Sequence, residues 1–146
     1  MQYRIKNVAV LGSGIMGSGI ACQLANVGIE VLMLDILPQG SPDTKSSRNS
    51  IAQNALNKAL KSKPAPLYKK EFASRITVGN LEDDFGKIKD ADWIIEVVVE
   101  RLDVKQQIFE KIEKYRKPRS IVSSNTSSIP ISQLSEGRSK AFKKHF

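Results

Sequence analysis

The chain has 146 residues, 40% hydrophobic and 26% charged, with a net charge of +8 and one cysteine, Cys22. That length suits one domain with its own core and is too short for two large ones. A single cysteine excludes an internal disulfide or cysteine metal cluster and fits a reducing, cytoplasmic setting, while no apolar run approaches the roughly 18 residues of a membrane span and no secretory signal pattern opens the chain.

Asn7 to Leu11 (NVAVL) is short, apolar and closed by a glycine, which predicts a buried strand of a parallel sheet. From Met16 to Val27 the apolar residues Ile20, Leu24 and Val27 recur at helical spacing, and Gly28 fits the position just past a helix end. Glu30 to Asp35 (EVLMLD) is the next strand, completing a βαβ unit. Leu37 to Ser47 reads as a loop, and Ile51, Ala55, Leu56 and Leu60 predict a second helix. After an irregular linker comes a short strand at Ile76 to Val78. A polar, turn-rich stretch follows (LEDDFGKIKDA), and then Asp92 to Val99 (DWIIEVVV), expected as a central strand. The next helix, with Val104, Ile108 and Ile112 on one side, ends before Pro118, and Ser120 to Asn125 is another strand. Strands alternating with helices predict an α/β domain, a doubly wound Rossmann-type parallel sheet with helices on both faces.

Gly12, Gly14 and Gly17 (GSGIMG) form a G-x-G-x-x-G pattern between a strand and a helix. That context turns a weak motif into a dinucleotide fingerprint. Gly12 permits the tight turn, Gly14 lets a pyrophosphate approach the backbone, and Gly17 lets helix and sheet pack closely. The helix start, with Ile15 and Met16, then presents its free N–H groups to phosphate. Gly19 is a further glycine that would ease helix packing. Asp35, at the end of the second strand, can accept hydrogen bonds from the adenosine ribose hydroxyls and repels a 2′-phosphate. No arginine follows it in DILPQG, so NAD is expected over NADP.

With the glycine turn and Asp35, the segments ADWIIEVVVERLDVKQQIF and SIVSSNTSSIPI give the chain its resemblance to the NAD-binding domain of L-3-hydroxyacyl-CoA dehydrogenases, above all the bacterial multidomain type with an enoyl-CoA hydratase region. The resemblance implies oxidation of L-3-hydroxyacyl-CoA to 3-oxoacyl-CoA with NAD in fatty-acid β-oxidation. It implies that Glu100 touches the nicotinamide-side ribose, that Lys105 contacts NAD, and that Ser127 hydrogen-bonds the C3 oxygen of the substrate. Lys61, with Asn54 earlier on its helix, matches the residues near the CoA phosphates, although a plain surface lysine fits Lys61 equally. Taken without the resemblance, Glu100 and Lys105 read as a solvated helix start and SSNTSS as a polar turn with capping hydroxyls.

The family's catalytic base is a histidine in a G-x-HFFNP-like segment, and the single histidine here, His145, falls before that position. The chain therefore reads as an N-terminal piece, incomplete at its C-terminus, that binds NAD with little turnover. Its helical dimerisation domain would lie further along, in a parent that is a homodimer or multidomain complex. Charge is uneven: residues 37–75 carry eight basic side chains against two acidic, and residues 114–146 eight against one. Such blocks suit a ligand with several phosphates, and no recognition-helix, RRM or zinc-finger pattern points to nucleic acid. Two other readings stay open: a 6-phosphogluconate-like or UDP-sugar dehydrogenase, and a non-catalytic NAD- or nucleic-acid-binding module.

Overall fold

Five short strands, each apolar where it is covered on both faces, build one parallel sheet: β1 (Asn7–Leu11), β2 (Glu30–Asp35), β3 (Ile76–Asn80), β4 (Trp93–Glu96) and β5 (Ile121–Ser124). Their order is β3-β2-β1-β4-β5. The computed structural model describes residues 4–40 and 42–146; Met1–Tyr3, and Ser41 within the expected loop, lie outside the described residues. β1 holds the central place, and β4 is interior beside it. The order reverses between β1 and β4, the switch point at which open α/β sheets bind ligands beyond the carboxyl ends of their strands.

Side chains alternate across the sheet. Val8 and Val10 of β1 face a core with Val31, Met33 and Ile95, covered by α1 (Ile15–Asn26) and α3 (Ser50–Lys61). Ala9 and Leu11 face the other core with Leu34, Ile94 and Val122, covered by α4 (Leu102–Tyr115), α5 (Ile131–Leu134) and α6 (Lys140–Lys143). There Phe109, Phe142 and Phe146 stack with ring centroids 5.0 to 6.0 Å apart. Each fully buried side chain of this size contributes roughly 1.5–3 kcal/mol.

The βαβ unit forms as the sequence predicts. Gly28, at φ +86°, lets the chain leave α1: its N–H reaches Ala25 O at 3.1 Å and the Ile29 N–H reaches Leu24 O at 3.1 Å. These two bonds make a Schellman C-cap. The buried face of α1 differs from expectation. It consists of Gly17, Ser18, Ala21, Cys22 and Ala25, while Ile20 and Leu24 are half-buried and Val27 is exposed. Small residues let the helix lie close on the sheet, and the larger ones flank the contact. Gly19 is exposed with open space where a Cβ would stand, so it has no packing role.

Three further differences have local causes. The expected loop over Leu37–Ser47 contains the start of a one-turn helix, α2 (Lys45–Arg48), capped by Thr44. The turn-rich stretch after β3 holds a 3-10 turn over Phe85–Asp90 that buries Phe85 and Ile88. Two apolar residues three apart share one face of such a turn. The strand expected to reach Val99 ends at Glu96, because the Val98 N–H turns back to the Glu96 carboxylate at 2.8 Å. Among the described residues, no helix is long and apolar enough to cross a membrane.

Candidate functional site

The glycine turn leaves β1 at the switch point. Gly12, at φ +114°, donates its N–H to Leu34 O at 2.7 Å. A Cβ there would stand 2.7 Å from the Val97 carbonyl carbon and closer still to its oxygen. A Cβ on Gly17 would lie 2.8 Å from the Gly12 carbonyl carbon. These two glycines are therefore required by the protein's own backbone. Gly14 is different: it is exposed, and nothing lies within 4 Å of a Cβ built on it. It caps α1 without any side-chain cap, and Ile15 and Met16 beside it are exposed. Open space before a helix N-terminus is what a pyrophosphate needs.

Asp35 stands at the lip of this turn. Its Oδ2 accepts the Ser13 N–H at 2.7 Å and the Ser13 hydroxyl, and its Oδ1 accepts the Ile36 N–H at 2.7 Å. The carboxylate is thus fixed in orientation and tied to the turn before any ligand arrives. Between α1 and α3 runs a cleft of about 390 Å³, lined by Gly14, Ile15, Ser18, Ala55, Lys58 and Ser62 among others. Asn54 and Lys61 are exposed on α3 and do not line it. Lys58 does, four residues from one and three from the other, so the three form one stripe along the helix.

On the other side of the switch point, Glu100, Lys105 and Ser127 come together. Glu100 Oε1 accepts the Thr126 hydroxyl at 2.6 Å, the N–H groups of Ser127 and Ser128 at 3.1 Å each, and the Ser128 hydroxyl at 3.0 Å. The Thr126 hydroxyl, followed by the Ser128 N–H, holds the Glu100 carboxyl well below the usual carboxylate range. Ser127 is exposed, and among the described residues its hydroxyl has no hydrogen-bond partner although its N–H does. Lys105 is buried at 1% exposure rather than solvated. Its Nζ donates to Glu96 Oε1 at 2.6 Å and Val98 O at 3.3 Å, and lies 3.3 Å from Glu100 Oε2.

Glu96 was not singled out from the sequence. It is fully buried, and its second oxygen accepts the Ser124 hydroxyl. One signal was present: a carboxylate closing the most apolar strand of the chain. His145 lies elsewhere. Its carbonyl accepts the Val122 N–H at 2.8 Å. Burial, followed by the charges of Arg116, Lys144 and Arg119, lowers its imidazole pKa. Arg116 and Arg119 precede β5, so this is the amino end of the strand, opposite Ser127.

The family model for the 3-hydroxyacyl-CoA dehydrogenase NAD-binding domain matches residues 7–146. The chain belongs to that family. Its cofactor is NAD, and the open face of Gly14, the uncapped start of α1 and the fixed Asp35 carboxylate fit that group. A probable 3-hydroxyacyl-CoA dehydrogenase of Bacillus subtilis is 52% identical over 100% of this chain and 20% of its own length. A putative fatty acid oxidation complex trifunctional enzyme of Rickettsia felis is 43% identical, again over 100% of this chain and 20% of its own. The chain thus spans about a fifth of these curated relatives. The crystal structure of (S)-3-hydroxybutyryl-CoA dehydrogenase from Ralstonia eutropha superposes with a TM-score of 0.67 at 31% identity, over 94% of this chain and 47% of that one.

Proposed function

We propose that this chain is the cofactor-binding part of an enzyme that oxidises L-3-hydroxyacyl-CoA to 3-oxoacyl-CoA in fatty-acid β-oxidation. The observation that carries the reading is Ser127: its N–H is clamped by Glu100 while its hydroxyl is left for a ligand, across the switch point from the glycine turn. The names borne by the Bacillus and Rickettsia relatives, a probable 3-hydroxyacyl-CoA dehydrogenase and a putative fatty acid oxidation complex trifunctional enzyme, support the same chemistry. In this reading Gly12, Gly14, Ile15, Met16 and Gly17 hold the pyrophosphate and Asp35 the adenosine ribose. Glu100 faces the nicotinamide-side ribose, and Lys105, expected to contact NAD, instead stands behind Glu100 with its Nζ buried between the Glu96 and Glu100 carboxylates. Asn54 and Lys61 lie toward the CoA phosphates. When bound, NAD supplies the acceptor for the hydride from C3.

Ser127 donates to, or accepts from, the C3 oxygen and so orients the substrate. The proton on that oxygen needs a base, and His145 is at the wrong end of β5 to take it. The chain alone therefore binds NAD with little turnover, and the active protein is a homodimer or multidomain enzyme in the cytoplasm, a setting that the single buried Cys22 suits. The test follows NADH absorbance with acetoacetyl-CoA, on this chain and on the intact gene product. Turnover by the intact product and little by the chain supports the proposal. NADH consumption by the intact product with a sugar-derived substrate, and none with acetoacetyl-CoA, overturns it.

A further inference from the structure

Five residues beside Ser127, four through side chains alone and Thr126 also through its main-chain N–H, close a ring of polar contacts. Glu96 Oε1 accepts from Lys105 Nζ at 2.6 Å. Lys105 Nζ also pairs with Glu100 Oε2 at 3.3 Å. Glu100 Oε1 accepts the Thr126 hydroxyl at 2.6 Å. The Thr126 N–H donates to Ser124 Oγ at 3.2 Å, and the Ser124 hydroxyl returns to Glu96 Oε2. The ring joins the end of β4, the connection into α4 and its first turn, and the end of β5 with the turn after it.

We infer that Glu96 is a positioning residue for Ser127, holding the Ser127 turn from both sides through Lys105–Glu100 and through Ser124. The inference rests on the reading of Ser127 as the residue that meets the substrate oxygen. Its physical ground is the cost of the arrangement. A carboxylate at 0% exposure and an ammonium at 1% are expensive to desolvate, and an apolar pair of similar volume often stabilises a fold as well or better. What an apolar pair cannot do is orient Glu100. With Glu96 in place, the Lys105 charge is shared between two carboxylates, and Glu100 Oε1 stays aimed at the Ser127 and Ser128 N–H groups. The other arm fixes the start of the same turn, because the Ser124 hydroxyl gives its proton to Glu96 and accepts the Thr126 N–H. Without the Glu96 charge, Lys105 turns wholly to Glu100 and draws its carboxylate away from the turn. A misplacement of this kind, far smaller than unfolding, can cost about a hundredfold in rate.

The test has two arms. In this chain, Glu96→Gln should raise amide exchange at Ser127 and Ser128 by about tenfold, through local opening, and leave the β1 amides at their wild-type rates. Ser124→Ala cuts the second arm without touching a charge, and should speed exchange over Thr126–Ser128 even if Glu96→Gln folds poorly. In the intact gene product, Glu96→Gln should lower kcat by about 10- to 100-fold, with NAD affinity changed much less. In a Ser127→Ala background the same substitution should cost little more, since its effect runs through Ser127. Wild-type exchange at Ser127 and Ser128 in both variants overturns the inference, as does an undiminished Glu96→Gln loss in the Ser127→Ala background. Equal turnover by wild type and Ser127→Ala removes the reading of Ser127 itself, and the positioning role with it.

Discussion

Gly14→Ala separates holding the fold from holding the cofactor. The backbone there has φ −59° and ψ −171°, an extended conformation close to those alanine adopts, and a Cβ would meet nothing within 4 Å. The folded state loses nothing, and the unfolded chain loses freedom, so stability should stay the same or rise by about 0.4–1 kcal/mol. In the proposed cofactor placement, the same methyl group stands where a phosphate approaches the α1 N-terminus. Losing one charge-assisted hydrogen bond costs about 1.5–3 kcal/mol. At about 1.4 kcal/mol per tenfold, that is a loss of NAD affinity of roughly 10- to 150-fold. Trp93, half-buried with its indole N–H on Ser123 Oγ at 2.9 Å, reports unfolding in urea, and titration calorimetry reports NAD binding. A variant that keeps the wild-type NAD affinity would refute the cradle. One that loses more than about 1 kcal/mol of stability would refute the claim that Gly14 is free of packing duty.

Gly12→Ala should behave in the opposite way. It forces alanine into φ +114° and into the Val97 carbonyl, costing about 2–5 kcal/mol from strain and overpacking together; an unchanged urea midpoint would count against this. Asp35→Ala should weaken NAD by about tenfold or more, through lost hydrogen bonds to a charged group, and narrow the gap between NAD and NADP. Calorimetry with both cofactors reads this, and an unaltered ratio argues that discrimination lies elsewhere. Asp83 is held down to about 2 by its hydrogen bonds from Arg48 and then Asn80. A carboxyl depressed on folding stabilises above its unfolded pKa, about 3.9, and loses that contribution as pH falls through the folded value. The urea midpoint should therefore drop between about pH 4 and 2, and Asp83→Asn should flatten that drop; parallel curves would show that the Arg48 pairing is not its source.

The βαβ unit and the glycine turn were legible because their constraints are local. A strand, two glycines that the backbone itself requires (Gly12 and Gly17), a Schellman glycine and a carboxylate one strand later all sit within about 30 residues. The turn after β5 was legible as a capped turn from SSNTSS alone, and only family likeness pointed to Ser127 within it. What escaped was set by tertiary partners. Nothing in WIIEVVVE states that the strand must stop at Glu96; that follows from Val98, Lys105 and Ser124 converging on one carboxylate. Helical spacing pointed to Ile20 and Leu24 for the face of α1, whereas close approach to a parallel sheet selects Ala21, Cys22 and Ala25. Spacing also could not choose among Asn54, Lys58 and Lys61, because all three share a stripe and only the position of α1 decides which one meets the cleft.

The carboxyl edge of the sheet carries apolar side chains that the cores leave uncovered: Ile15 at 89% exposure, Met16 at 56%, Ile36 at 60% and Val99 at 61%. Ile15 and Met16 open α1, and Ile36 and Val99 follow β2 and β4, around the opening where a nucleotide would sit. Covering them transfers hydrocarbon out of contact with water, and that leaves a thermal signature independent of any hydrogen bond. The enthalpy of NAD binding should grow more favourable as the temperature rises, with a negative heat-capacity change that shrinks when Ile15 or Ile36 is replaced by serine. In the proposed mode the backbone reads the phosphates, and part of the grip on the cofactor is water leaving a greasy rim.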